Sequence, residues 1–143
     1  MTVLIKSRGI DMLDFACKEF ELDDVFKCAL KLTKSELQIM NKFLENDDKW
    51  LTSDDIAVMM GFDLSTVQKA VKKLYTSDVL NRSQKNLDNG GYVYIYKVCN
   101  REEMKMLIME IVYTWVSRVE NEFDNWIDGK QNYPYVAESV RSI

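Results

Sequence analysis

Three residues in this chain are each followed, three positions on, by a side chain able to reach back: Thr33 and Glu36, Thr52 and Asp55, Ser65 and Gln68. In this pattern the first hydroxyl accepts from the later backbone N–H and the later side chain accepts from the first residue's N–H, so each pair marks a helix start. Gly61 stands between the second and third starts. Glycine adopts positive φ without penalty, which suits the left-handed cap that ends a helix. The reading is a short helix, a glycine corner and a second helix: the grammar of a helix-turn-helix.

Apolar periodicity fills in the rest. From Asp11 to Leu32, with interruptions, Phe15, Cys17, Phe20, Leu22, Val25, Phe26, Ala29 and Leu30 recur at helical spacing. After Thr33, Leu37, Met40, Phe43 and Leu44 predict a second helix that ends at "ENDDK"; Trp50 and Leu51 form a short extended link. Ile56, Ala57, Met59 and Met60 mark the helix before Gly61, and Val67, Ala70, Val71 and Leu74 the apolar stripe of the one after it, expected over residues 65–77. "VLNRSQ" and "YVYIYKV" alternate as strands around "KNLDNGG", which carries hairpin-tip chemistry. The hairpin is a wing.

Asn100 and Glu103 open a last helix bearing Met104, Leu107, Ile108, Ile111, Val112, Trp115, Val116, Val119, Phe123, Trp126 and Ile127. These cover more than one stripe of a helix about 40 Å long at 1.5 Å per residue. A dimerisation helix is expected, built on Met104, Leu107, Ile108, Ile111, Val112, Trp115, Val119, Phe123 and Trp126, with an intramolecular core helix as the alternative. The fold class is therefore mainly α with a small β-hairpin wing. Its parts are an N-terminal helical segment (1–32), a winged helix-turn-helix (33–99), the long C-terminal helix (100–128) and a tail (129–143) in which Tyr133, Pro134 and Tyr135 could pack on a partner.

Charge is distributed unevenly. The chain carries a net −4, yet from Ser65 to Lys85 five cations (Lys69, Lys72, Lys73, Arg82, Lys85) face one acid, Asp78, leaving +4 there and −8 elsewhere. On a helix the positions of Ser65, Lys69, Lys72 and Thr76 fall opposite the apolar stripe, flanked by Thr66, Gln68 and Lys73. A solubilising face is one reading. In a helix-turn-helix, however, the second helix enters the major groove of DNA with its N-terminal residues near base edges. Gln68 suits adenine, Lys69 guanine or phosphate, and Lys72 and Lys73 phosphates, while backbone N–H groups at the helix start favour another phosphate. Arg82, Lys85 and Asn86 of the wing would reach a flanking minor groove or its phosphates. Tyr92, Tyr94 and Tyr96 share one strand face; such a stripe can stack single-stranded bases, but cross-strand packing with wet hydroxyls is the expectation.

The segment "LTKSELQIMNKFLENDDKWLTSDDIAVMMGFDLSTVQKAVKKLYTSDVLNRS", from Leu32 to Ser83, resembles the winged helix-turn-helix domain of prokaryotic transcriptional regulators of the MarR and TrmB type, above all small archaeal ones. The resemblance implies a cytoplasmic homodimer held by terminal helices, with double-stranded DNA as partner. It also implies a small-molecule effector pocket between those helices and the DNA-binding part, where Phe15, Phe20, Phe26, Tyr113 and Trp115 are candidates, with plain core as the alternative for all five. Asp78 stands where such sequences usually have glycine, and aspartate tolerates the left-handed region. The wing is less basic than those of strong binders.

Other classes fare less well. Histidine is absent, removing the commonest general base and metal ligand, and no phosphate-binding glycine loop or nucleophile elbow occurs. No enzyme, cofactor or metal site is expected. Acidic pairs such as Asp23/Asp24, Asp47/Asp48 and Asp54/Asp55 diverge on a helix and read as caps and solvated faces. Cys17, Cys28 and Cys99 form no Cys-x-x-Cys pair; reduced, buried thiols are expected, with a Cys17/Cys28 redox switch as the alternative. No apolar run is long enough for a membrane span, nor does the start resemble a signal peptide, so an intracellular location is expected. The alternative function is a winged-helix protein-interaction module within a larger complex.

Overall fold

A computed structural model describes residues 19–129. The expectations on Phe15, Cys17 and the tail tyrosines lie outside the described residues. Five helices and a two-stranded hairpin follow in order: α1 (Leu22–Ala29), α2 (Lys34–Glu45), α3 (Ser53–Met60), α4 (Leu64–Thr76), β1 (Leu80–Asn86), β2 (Tyr92–Val98) and α5 (Arg101–Ile127). The winged-helix architecture is as the sequence implies.

The caps explain the boundaries. The Thr33 hydroxyl accepts from the Glu36 N–H at 3.2 Å and a Glu36 carboxylate oxygen accepts from the Thr33 N–H at 2.8 Å. Thr52 and Asp55 repeat this at 3.0 and 2.9 Å, and Asn100 and Glu103 at 2.7 and 3.0 Å. The third predicted cap is corrected: α4 starts one residue earlier, and Asp63, not Ser65, is its N-cap. The Ser65 and Thr66 hydroxyls instead donate to the Asp63 carboxylate, at 2.6 and 2.7 Å. The Asp63 side chain makes no cap bond to a backbone N–H; its carboxylate accepts the two neighbouring hydroxyls instead, bonds that its charge strengthens. Of the helical segment expected over 11–32, the part before residue 19 lies outside the described residues; α1 ends before Lys31, which takes a left-handed φ of 56°.

Gly61 closes α3 at φ 69°, its N–H bonded to the Ala57 carbonyl at 2.9 Å. At the far end of α4, Asp78 takes the left-handed conformation its position demands, φ 68°. Two reversed bonds close the turn, from the Asp78 N–H to the Tyr75 carbonyl (3.1 Å) and from the Val79 N–H to the Leu74 carbonyl (2.9 Å). Leu74 and Val79 are both fully buried. With Ile39, Met40, Phe43, Ile56, Val67 and Leu80 they form the core over which α4 and the hairpin are fixed.

In the hairpin, Leu80 pairs with Val98 and Asn86 with Tyr92, antiparallel throughout. β1 therefore reaches two residues further than "VLNRSQ", taking Lys85 and Asn86 out of the predicted tip and into the strand. Leu51 adds a single bridge to Tyr96, with both N–H···O bonds at 2.8 Å, which tethers the start of α3 to the wing.

The chain falls into two compact units that divide within α5, after Ile108. Met104 and Ile108 are buried, 4% and 6% exposed. These two were expected in a dimer interface; they instead belong to the core, because the first turns of α5 follow directly from β2. Leu107, Ile111, Val112, Trp115 and Val119 are half-buried, and Phe123 and Trp126 exposed. Four exposed apolar residues outside the predicted interface set, Met106, Tyr113, Val116 and Ile127, join half-buried Met109 and exposed Phe123 in a row at alternating spacings of three and four, interrupted by Glu120. Among the described residues no helix is long and apolar enough to cross a membrane.

Candidate nucleic-acid interface

Burying Val67, Ala70, Val71 and Leu74 fixes how α4 is turned, and its opposite face is polar. Ser65, Gln68, Lys69, Lys72 and Thr76 are exposed, Thr66 half-buried. No ion pair to a described residue holds Lys69 or Lys72. Lys73 departs from the expected set. Its ammonium reaches a Glu36 carboxylate oxygen at 2.8 Å and also donates to the Lys31 carbonyl, so its charge is neutralised within the fold. One residue past Lys72 the helix has turned by about 100°, towards α2.

Glu36 is thus shared between the α2 cap and α4. Partial burial alone would raise its pKa, but the Lys73 ammonium and the Thr33 N–H and hydroxyl together hold the carboxyl below the usual glutamate value. At the start of α4 the Asp63 carboxyl is likewise lowered, by the hydroxyls of Ser65 and Thr66. A carboxylate therefore sits where the sequence suggested a phosphate, and the positive face lies further along, at Lys69 and Lys72.

The wing separates residues that the sequence grouped. Cross-strand pairing puts Arg82 opposite Tyr96, Gln84 opposite Tyr94 and Asn86 opposite Tyr92, on one face; Lys85, opposite Val93, is on the other with Ser83, Ile95 and Lys97. The tyrosine face turns towards α4. There the Arg82 guanidinium lies between two rings, 4.2 Å from the centroid of Tyr75 and 4.1 Å from that of Tyr94. Such cation–π contacts contribute on the order of 0.5–2 kcal/mol each and restrain the guanidinium.

The stripe also divides along its length. Tyr96 is buried edge-on to Tyr75 at 6.3 Å, as the packing expectation requires. Tyr94 and Tyr92 are 38% and 50% exposed, edge-to-face at 5.4 Å. The Tyr94 hydroxyl beside it holds the Tyr92 phenol above the usual tyrosine value, so the Tyr92 ring is neutral at physiological pH.

Between α4, the start of α3 and this face runs a groove of about 440 Å³, lined by Thr52, Ser53, Asp54, Gln68, Lys72, Tyr75, Arg82, Tyr92 and Tyr94 among others. Tyr75 and the two exposed tyrosines were missed as site residues. Their period-two spacing is visible in the sequence, but their convergence with Tyr75 on Arg82 is not. Of the cysteines described, Cys99 is buried, and burial together with the Glu103 carboxylate pushes its thiol pKa up, away from reactivity.

Residues 19–119 match the family model of the DnaD N-terminal domain. The chain belongs to that family. Among solved structures, this DnaD N-terminal domain protein is similar to one from Methanosarcina mazei described as a possible transcriptional regulator, with 48% identity and a TM-score of 0.73 over 79% of this chain and 94% of that one. A protein from the thermoacidophilic archaeon Sulfolobus tokodaii shares the fold at 19% identity and a TM-score of 0.55, covering 67% and 92% of the two chains. An uncharacterized protein of Methanocaldococcus jannaschii is 27% identical over 92% of this chain and 96% of its own length.

Proposed function

We propose that this DnaD N-terminal domain protein is a transcriptional regulator of the MarR/TrmB-like kind, a cytoplasmic homodimer that binds double-stranded DNA sequence-specifically. The observation that carries this reading is the outward face of α4. Gln68, Lys69 and Lys72 are exposed on a helix whose rear is locked into the core, beside a wing whose Arg82 is held against the Tyr75 and Tyr94 rings. A major groove about 12 Å wide admits one such helix. Ser65, Thr66 and Gln68 meet base edges, Lys69 and Lys72 meet guanine or phosphate, Arg82 and Asn86 meet the flanking backbone, and Lys85 contacts DNA only from the outer face of the wing. Lys73 takes no part. The 48%-identical M. mazei protein, described as a possible transcriptional regulator, supports the same function. For the homodimer, the support is the row Met106, Met109, Tyr113, Val116, Phe123 and Ile127, whose spacing is that of a coiled-coil seam.

The test is selection of duplexes from a randomised library, followed by anisotropy titrations across salt. The wild type is expected to enrich a two-fold-symmetric site and to lose affinity steeply with salt. The double variant Lys69→Glu/Lys72→Glu should abolish binding while its melting curve is unchanged; binding that survives both charge reversals sinks the assignment. The same α5 row also fits a protein-interaction module in a larger complex, and a stoichiometric partner captured by a protein that shows no salt-sensitive DNA affinity would establish that instead.

A further inference from the structure

The groove between α4 and the wing contains more than contact with a duplex needs. A paired, stacked helix presents phosphates and base edges to a protein, and cations with hydrogen-bonding side chains suffice for both. Here two tyrosine rings stand exposed beside two cations. Tyr94 has a face committed to Arg82, whereas Tyr92 meets Tyr94 edge-to-face and is half exposed. Phosphate-binding and base-binding groups line one cleft: exposed Lys72 from α4, exposed Arg82 from β1, Tyr92 from β2, with Asp54 and Gln68 offering an acceptor and an amide. An acidic side chain in the lining, Asp54, is of no use to a run of duplex phosphates, whereas it can accept from a base. The volume, about 440 Å³, lies within the range of small-ligand sites.

We infer that this groove takes one unpaired nucleotide of a nucleic-acid strand, its base stacked on Tyr92 and its phosphate between Lys72 and Arg82. The protein then binds best where a duplex opens into single strand. Where the base carries an exocyclic amino group, which thymine does not, Asp54 accepts from it, and the contacts of Arg82 with the Tyr75 and Tyr94 rings position the guanidinium for the phosphate. The inference rests on the nucleic-acid reading above but does not require major-groove recognition.

The test compares three fluorescein-labelled probes, a blunt duplex, the same duplex with a one-nucleotide gap in one strand, and an oligothymidylate. They are titrated against the wild type and the Tyr92→Leu, Tyr92→Phe and Lys69→Glu variants. The gapped duplex should bind the wild type more tightly than the blunt one. Tyr92→Leu should weaken gapped-duplex and oligothymidylate binding about 5- to 150-fold, the range of a lost base–aromatic stack, and leave the blunt duplex unchanged; Tyr92→Phe should keep most of the preference. Lys69→Glu should weaken the blunt duplex most. Equal affinity for gapped and blunt probes, or a Tyr92→Leu variant that binds all three as the wild type does, overturns the groove assignment while leaving the regulator reading standing. Tyr92-dependent binding of oligothymidylate with no duplex binding overturns the regulator reading and upholds the groove. Displacement of the gapped probe by free deoxyadenosine monophosphate at similar concentration makes the ligand a free nucleotide and overturns the strand-borne form.

Discussion

Helices α4 and α5 are both amphipathic in sequence, yet they reach opposite ends. Four of the thirteen residues of α4 are buried, all on one stripe, and its polar face is left clear. Only Met104 and Ile108 are buried among the twenty-seven residues of α5, and large side chains such as Phe123, Trp126 and Ile127 are more than half exposed. The first helix has its partners within the chain: α2, α3 and the wing all pack on it. Beyond Ile108 the second displays apolar surface that a free helix would expose at a cost of about 25 cal/mol per Å² relative to a covered one. A helix whose apolar stripe is satisfied is free to use its other face for charge, whereas one whose stripe is unsatisfied has apolar surface left for a partner to cover.

Truncation separates the two most sharply. Leu74→Ala should cost about 2–5 kcal/mol in urea unfolding, because it opens a cavity in a fully buried site. Phe123→Ala, in monomeric protein, should stay within about 0.5 kcal/mol. A large monomeric loss at Phe123 would mean that α5 has an intramolecular partner and would erase the contrast.

Association is the next break point. Sedimentation equilibrium should find wild-type dimers, and the pair Val116→Glu/Phe123→Glu should shift them to monomers with the far-ultraviolet spectrum kept. Wild-type monomers at tens of micromolar remove the homodimer.

The turn that orients α4 offers a smaller effect. Gly61 has φ 69°, and a Cβ there would meet nothing within 4 Å, so Gly61→Ala should cost about 1–2 kcal/mol from backbone conformation alone. A neutral result would show that the corner shifts freely.

The smallest effect tests the rear of α4. Glu36→Gln removes the partner of Lys73, an ion pair about one-third exposed at the lysine, and should cost on the order of 1 kcal/mol or less near neutrality. The folded carboxyl has a pKa below its unfolded value, so its contribution is present above that unfolded value and is lost as pH falls through the lowered one. The variant's stability should therefore fall less steeply than the wild type's below the ordinary glutamate range. Identical acid limbs would show that Lys73 is not anchored by Glu36 in solution.

Much of the fold was legible because its signals are local. Thr33, Thr52 and Asn100 cap helices through atoms three residues away, Gly61 and Asp78 take the positive φ their turns require, and the period-two tyrosines lie on a strand. Ser65 was misread for an instructive reason: a capping box is a pattern of residue types, and Asp63, a better acceptor two residues earlier, took both nearby hydroxyls. The site was less legible. Lys73 looks equivalent to Lys69 and Lys72 until Glu36 is known to lie beside it, and Arg82, Lys85 and Asn86 look like one cluster until strand register assigns them to two faces.

By itself the sequence determined which segments are helix or strand, most of their caps, and that positive charge gathers on the element after the glycine corner, because caps, periodicity and turn residues act over a few positions. The tertiary structure alone decided which of those charges remain available, that Arg82 is held between Tyr75 and Tyr94, and that the apolar residues of α5 divide into a buried start and an exposed row. Those outcomes depend on groups far apart in the chain meeting within a few ångströms, and side-chain energetics at that range is set by neighbours in space.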